Sequence, residues 1–402
     1  MRKEKVMNQP ENRNPMGSLI GDPLPGAPEL AARGGTATGV RTIEMVFPDR
    51  PQFTAGKHGG RFTRGERRLK AEVWYPAALS GNELPAVYTD HMGRADLENL
   101  TPFQMTGRAF RDAAPDPEAG ARPVILISHG YPGSRFLLSN LAENLSGKGY
   151  VVFSVGHTDN TYEDFPKQYS LESALVHRSM DQRLVISEFP RLNSEGFLKG
   201  LLQPDNVGVL GFSMGGYGTL RTIGAGLKAD LRKQFGEAAD ELKEEPGWQG
   251  LRAVRAAALF APATFFLEPA GAKNLKIPTI WFCGTADHVV YYEQVHQFWK
   301  EAVNSRRFFV SYEGCGHNVA NNPAPPEAAS MPWEIFKRWS DPVWDTRRLN
   351  DANNHFVTAF FDRFLRNEDG KQKYLVPAET GGELTGFTEG TSAGIRLESA
   401  GE

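Results

Sequence analysis

Asn206-Val-Gly-Val-Leu-Gly-Phe-Ser-Met-Gly-Gly-Tyr-Gly218 decides the fold. Val207 to Phe212 is a short apolar run with strand character, and sequence suited to a helix follows almost at once. Ser213 stands at the junction, with Gly211 and Gly215 two residues to either side. That Gly-x-Ser-x-Gly spacing marks a sharp strand-to-helix turn, a nucleophile elbow, which lifts a serine hydroxyl above the end of a sheet. Glycine is demanded at both flanks because the strand and helix backbones come too close for a Cβ. A chain of 402 residues with 42 glycines can meet this spacing by chance. The motif decides only if the chain also supplies a base, an acid and an oxyanion hole in the right order.

Outward from the elbow, strands and helices alternate. Pro123 to Ser128 and Tyr150 to Val155 are continuous apolar runs, as strands buried on both faces are. Between them, Phe136 to Leu145 has helical periodicity. Ser170 to Phe189 reads as a helix, with Ser170 as N-cap and an apolar stripe at Leu171, Leu175, Leu184 and Val185. The helix after Ser213 runs to about Gly226. Val254 to Phe260, Ile277 to Cys283 and Arg307 to Tyr312 add three strands, with a helix from Tyr292 to Val303 and a closing helix from Asn353 to Leu365. This order predicts an α/β protein: a mostly parallel central sheet with helices on both faces. Ligands of such sheets gather beyond the carboxyl ends of the strands.

The margins are less regular. Residues 1–36 read as an extended N-terminal arm whose apolar patch, Leu19, Ile20 and Leu24, could dock on the body or on a second copy, which leaves a homodimer open. Arg41 to Phe47 and Ala71 to Pro76 read as two strands, with the basic run Lys57, Arg61, Arg64, Arg67, Arg68 and Lys70 as the solvated tip between them. Residues 80–121 lack a long periodic segment and read as an inserted loop over the body. Residues 228–250 carry a charged amphipathic helix, with Leu231, Phe235, Ala238 and Leu242 on one face, and look like a cap. The catalytic domain is thus expected over 37–376, followed by a C-terminal tail, 377–402, with weak order signals.

Composition narrows the partners. With 45 basic and 48 acidic residues the net charge is −3, which gives no reason to expect a nucleic acid or an anionic membrane. No apolar run of about 18 residues could span a bilayer. No apolar run of about 7–15 residues follows the basic start as a secretory signal would, so a cytoplasmic location is expected. The two cysteines, Cys283 and Cys315, do not make a disulfide framework and are expected to be free thiols. No cluster has metal-ligand spacing and no phosphate-binding glycine loop follows a strand, so no metal or cofactor is implied.

A serine hydroxyl needs a base within hydrogen-bond reach, and the base needs an orienting acid. In this kind of sheet the chain order is nucleophile, acid, histidine. Four histidines follow Ser213: His288, His296, His317 and His355. His317 lies among small residues just beyond the strand ending at Tyr312. His296 and His355 fall within helices, and His288 adjoins the best acid, Asp287, too closely to pair with it. Asp287 itself sits just past a strand end. Ser213, Asp287 and His317 are therefore the expected catalytic residues. The oxyanion donors are expected to be the N–H groups of Met214 and of Tyr131, since Pro132 has none. His129, His157 and Tyr162 lie at the same edge and are candidate pocket residues, with His129 more suited to bracing its loop.

Residues 37–370 resemble the α/β-hydrolase superfamily, and more narrowly the platelet-activating-factor acetylhydrolase and predicted dienelactone hydrolase group. The stretches that carry this are Val73-Trp-Tyr-Pro-Ala77, Ser128-His-Gly-Tyr-Pro-Gly133, Gly149-Tyr-Val-Val, His157-Thr-Asp, Gly211-Phe-Ser-Met-Gly-Gly216, Gly284-Thr-Ala-Asp287 and Gly316-His317. The resemblance implies hydrolysis of small or medium carboxylic esters through an acyl-enzyme. Acyl transfer, thioester or amide cleavage on the same residues, or a non-catalytic binding protein, are the rival readings. Dienelactone hydrolases proper use cysteine where this chain has Ser213, so lactone specificity does not carry over.

Overall fold

The structure is a computed structural model that describes residues 22–54, 61–93, 100–162, 164, 171–235, 250–379 and 382–401. Its strands are β1 (Thr38–Thr54), β2 (Arg61–Ala78), β3 (Pro85–Met92), β4 (Thr101–Arg111), β5 (Ala114–Pro115), β6 (Arg122–Ser128), β7 (Val151–Gly156), β8 (Leu202–Phe212), β9 (Val254–Phe260), β10 (Thr279–Gly284), β11 (Arg307–Tyr312) and β12 (Ile395–Ala400). The helices are α1 (Ser139–Gly147), α2 (Leu171–Ser194), α3 (Met214–Thr222), α4 (Ala229–Phe235), α5 (Gly250–Ala253), α6 (Tyr292–Glu301), α7 (Trp333–Phe336) and α8 (Thr346–Leu365). The sheet order is β12-β11-β10-β9-β8-β6-β7-β2-β1-β4-β3, with β5 paired to β2.

Six neighbouring strands, β11 to β7, run parallel. Val124, Ile125, Leu126 and Ile127 of β6 and Ala256 through Phe260 of β9 are fully buried, as the unbroken apolar runs predict. Behind the site, the Phe260 and Phe282 rings stack with centroids 4.2 Å apart. Each such buried ring stabilises the fold by roughly 1.5–3 kcal/mol. From β6 the chain leaves through α1 to β7 on one side, then returns through α2 to β8 on the other. The two connections diverge, and a crevice opens at the carboxyl ends of β6 and β8. This is the α/β-hydrolase arrangement, a mostly parallel sheet with helices on both faces.

Several marginal segments differ from expectation. The described part of residues 80–121 is not a loop: β3 and β4 pair antiparallel and extend the sheet, with β4 beside β1. Of the basic run, Lys57 lies outside the described residues, whereas Arg61 to Lys70 lie within β2 rather than in a tip, and Arg67 is buried on ion pairs with Asp159 and Asp181. The C-terminal tail ends in β12, which pairs antiparallel with β11 and covers that edge. Of the cap-like segment, α4 is seen, while residues 236–249 lie outside the described residues, as do Ser170, Leu19 and Ile20.

Residues 22–36 of the arm lie on the body of the same chain. The Leu24 N–H donates to Asp351 at 2.9 Å, the Leu30 N–H to His355 Nδ1 at 3.2 Å, and Arg33 pairs with Glu143 at 3.0 Å. Among the described residues no helix is long and apolar enough to cross a membrane.

Candidate active site

Ser213 sits between β8 and α3 with φ 55° and ψ −114°. A positive φ on a non-glycine residue costs about 1–3 kcal/mol and persists only where its surroundings enforce it. Here they do. The Ser213 N–H donates to the Phe260 carbonyl at 2.8 Å, and its own carbonyl accepts from Tyr217 at 3.0 Å and Ala263 at 3.2 Å. A Cβ on Gly211 would lie 2.4 Å from the Gly215 oxygen, and one on Gly215 would lie 2.0 Å from the Ser128 oxygen. Both glycines are therefore set by close backbone approach, as the motif requires.

Asp287 and His317 reach Ser213 from the two strands beyond β9. His317, past the end of β11, places Nε2 3.0 Å from Ser213 Oγ and Nδ1 2.8 Å from Asp287 Oδ2. Asp287, past the end of β10, also takes the N–H groups of Val289 and Val290 on Oδ1, at 2.8 and 3.0 Å. Burial pushes its carboxyl up, but the His317 hydrogen bond and charge and these two N–H groups outweigh that and hold it below its ordinary value. With Asp287 a carboxylate, His317 Nδ1 carries the proton and Nε2 is free to accept one from the serine. A Cβ on Gly284 would lie 2.2 Å from the Cys315 oxygen, so glycine there lets the two loops meet.

Asp341 is a residue that sequence reasoning missed. Its Oδ2 accepts the Gly316 N–H at 2.7 Å and the Cys315 thiol at 3.5 Å. Its Oδ1 accepts the N–H groups of Val343 and Trp344 at 2.9 and 2.8 Å. It thereby ties the residues just before His317 to the segment entering α8. The available signal was the turn chemistry of Asp341-Pro342. Cys283 and Cys315 are both free and buried, and burial pushes both thiols up, which keeps them protonated.

Ser213 and His317 open into a cleft of about 450 Å³ lined also by Tyr131, Tyr162, His288 and Asn318. Met214 is the first residue of α3, where N–H groups have no intrahelical partner. Of the three candidate pocket residues, Tyr162 lines this cleft. His129 and His157 do not: both are fully buried behind it. His157 Nε2 lies 2.7 Å from Ser128 Oγ and its Nδ1 lies 2.8 Å from Asp181. Burial and the nearby Arg178 charge lower His157 to about 4 against the pull of Asp181, so it stays neutral. Its backbone N–H donates to His129 Nε2 at 3.1 Å, and His129 Nδ1 lies 2.7 Å from the Gly130 carbonyl oxygen.

The same network reaches α2. Arg178 donates to the carbonyls of His129 and Gly130, the latter at 2.8 Å, and to Asn160 at 3.0 Å. One turn on, Gln182 Nε2 donates to the Gly215 carbonyl at 3.2 Å. One helix thus grips both the loop after β6 and the first turn of α3. The sequence signal was present, since Arg178, Asp181 and Gln182 interrupt the apolar stripe of α2. Of the remaining histidines, His296 pairs with Glu398 at 3.1 Å and His355 holds the arm. Among the described residues no three His, Cys, Asp or Glu side chains gather as a metal site.

The fold and the geometry define the class, an α/β-hydrolase fold with a Ser–His–Asp array at the carboxyl edge of its sheet. Residues 104–189 match the family model of platelet-activating factor acetylhydrolase, isoform II. That stretch runs from β4 into α2 and ends before Ser213. The chain is similar in structure to a ferulic acid esterase from Streptomyces cinnamoneus, with a TM-score of 0.57 and 22% sequence identity over 88% of this chain and 94% of that one. At this identity the likeness speaks for the fold. No curated protein matches the chain.

Proposed function

We propose that the chain is a serine hydrolase of small or medium carboxylic esters, working through an acyl-enzyme. The observation that carries this is the line from Ser213 Oγ through His317 to Asp287, at 3.0 and 2.8 Å, at the wall of an open cleft. Ser213 Oγ attacks the ester carbonyl carbon while His317 Nε2 takes the hydroxyl proton. The negative charge that develops on the carbonyl oxygen is met by the N–H groups of Met214 and Tyr131. The carbon–oxygen bond to the alcohol then breaks, and the alcohol leaves with the proton from His317. Water attacks the acyl-Ser213 carbonyl by the same route, gives its proton to His317, and frees the acid and the serine. The family match and the esterase fold of the structural neighbour support an ester as substrate.

A fluorophosphonate probe tests this reading: it should attach to the peptide containing Ser213, in step with loss of turnover of short aryl esters. Comparing aryl esters with matched thioesters, amides and acceptor alcohols separates hydrolysis from the rival bonds and from acyl transfer. A chain inert to both probe and esters would end the proposal.

In this reading Arg178 is a positioning residue for the oxyanion donors. Arg178→Ala releases the His129 and Gly130 carbonyls and lets the Tyr131 N–H drift. The expected result is a fall in kcat of about 100-fold with little change in KM, the size of losing one oxyanion donor. Arg178→Lys should recover part of it. Equal damage to kcat and to the folded fraction by circular dichroism would assign Arg178 a purely structural role instead.

A further inference from the structure

The cleft beside Ser213 carries two cations, Lys337 and Arg338, on one wall. Their backbone is fastened. Asn318 Nδ2 donates to the carbonyls of Lys337 and Ser340, the latter at 3.1 Å, and Asn321 Nδ2 donates to that of Arg338 at 3.1 Å. Between them and Ser340, Trp339 is buried edge-on against Phe103 with ring centroids 5.0 Å apart. Asn318 follows His317 directly, so the cationic wall is tied to the same loop that carries the catalytic imidazole.

The two cations differ in what balances them. Lys337 pairs with Glu334 at 2.6 Å. Arg338 shares the cleft with Tyr162, whose phenol burial keeps neutral against the pull of the Arg338 charge, and no carboxylate among the described residues forms an ion pair with Arg338. Asp341 also lines the cleft, but its two oxygens already take four donors from the Cys315, Gly316, Val343 and Trp344 positions. A half-buried guanidinium held in place beside a reacting centre, with its forked donors uncommitted to an anion, favours a planar carboxylate.

We propose that Arg338 selects esters that carry a second, free carboxylate group on either the acyl or the alcohol part. This deepens the esterase reading and rests on it. Such esters would present the carbonyl to Ser213 and the carboxylate to Arg338, so binding energy far from the reacting bond orients that bond.

Two matched pairs of substrates test this: 4-nitrophenyl hemiglutarate against 4-nitrophenyl valerate, and the butyryl ester of 4-hydroxybenzoate against that of 4-methylphenol. In at least one pair, kcat/KM should be higher for the carboxylate-bearing ester. Arg338→Ala should then lower the charged-to-neutral ratio by about 10- to 100-fold, the loss of one charge-assisted contact. Arg338→Lys should fall between, since it keeps the charge without the fork. A ratio that Arg338→Ala leaves unmoved in both pairs overturns the proposal, as does an equal loss on charged and neutral esters. The parent reading is judged separately: if wild-type protein hydrolyses neither member of either pair, or if turnover survives Ser213→Ala, that reading fails and takes this one with it.

Discussion

Ser213→Ala should lower kcat for aryl esters by about a millionfold, with KM little changed. The size follows from how such groups act as a unit: without the nucleophile, the remaining array only binds substrate and stabilises charge. The change removes one oxygen whose hydrogen bond is to His317 Nε2 at 3.0 Å. Alanine keeps the Cβ and is no worse than serine at φ 55°, so the elbow should keep its shape. Circular dichroism and the thermal midpoint should stay close to the parent values while turnover and fluorophosphonate labelling vanish. Turnover within about tenfold of the parent would mean that Ser213 is not the nucleophile.

Asp287→Asn should have the second-largest effect, a fall in kcat of about ten-thousandfold. Asp287 Oδ1 accepts two backbone N–H groups, at 2.8 and 3.0 Å, and an asparagine would keep its oxygen there. Its amide nitrogen then faces His317 Nδ1 and donates to it, which moves the imidazole proton to Nε2. That tautomer cannot take the serine proton. The stability effect has a defined sign. The folded carboxyl lies below its ordinary 3.8, so the ionised group stabilises the fold above that value and loses its contribution as pH falls through the lower folded value. Across neutral and weakly acidic pH Asp287 therefore stays ionised, and the parent should lose stability to Asp287 protonation in strong acid alone. Kinetics at pH 7 and unfolding curves at descending pH check both parts, and an Asn variant that retains a tenth of the activity would refute the orienting role.

The sequence made the central strands legible because burial on both faces writes an unbroken apolar run, as in Pro123 to Ser128 and Arg307 to Tyr312. Residues 85–92 hid their strand because the inward positions are Ala86, Tyr88, Asp90 and Met92, while Val87 faces out. One buried carboxylate and one exposed valine spoil the alternation. Asp90 is tolerated there because it accepts the Ser134 hydroxyl and the His91 N–H, the latter at 2.8 Å. Arg67 was concealed in the same way, as a buried ion-pair partner within a run of surface charge. The candidate site was readable because Ser213, Asp287 and His317 each follow a strand end in the expected order. His157 follows a strand end too, yet its side chain turns inward to Ser128 and Asp181, and strand-end position alone cannot distinguish the two directions.

The Ser128–His157–Asp181 line has spacings of 2.7 and 2.8 Å, nearly those of the array in the cleft. All three of its side chains are fully buried, whereas Ser213 opens into the cleft. The chain thus holds one hydrogen-bond pattern twice, once in the open cleft, where we propose it reacts, and once as a cross-tie between β6, β7 and α2. Identical chemistry serves as mortar when no water or carbonyl can reach the oxygen, and as machinery when they can. The inner line is the molecule's own control for the outer one: on a Ser213→Ala background, native protein should leave Ser128 unlabelled.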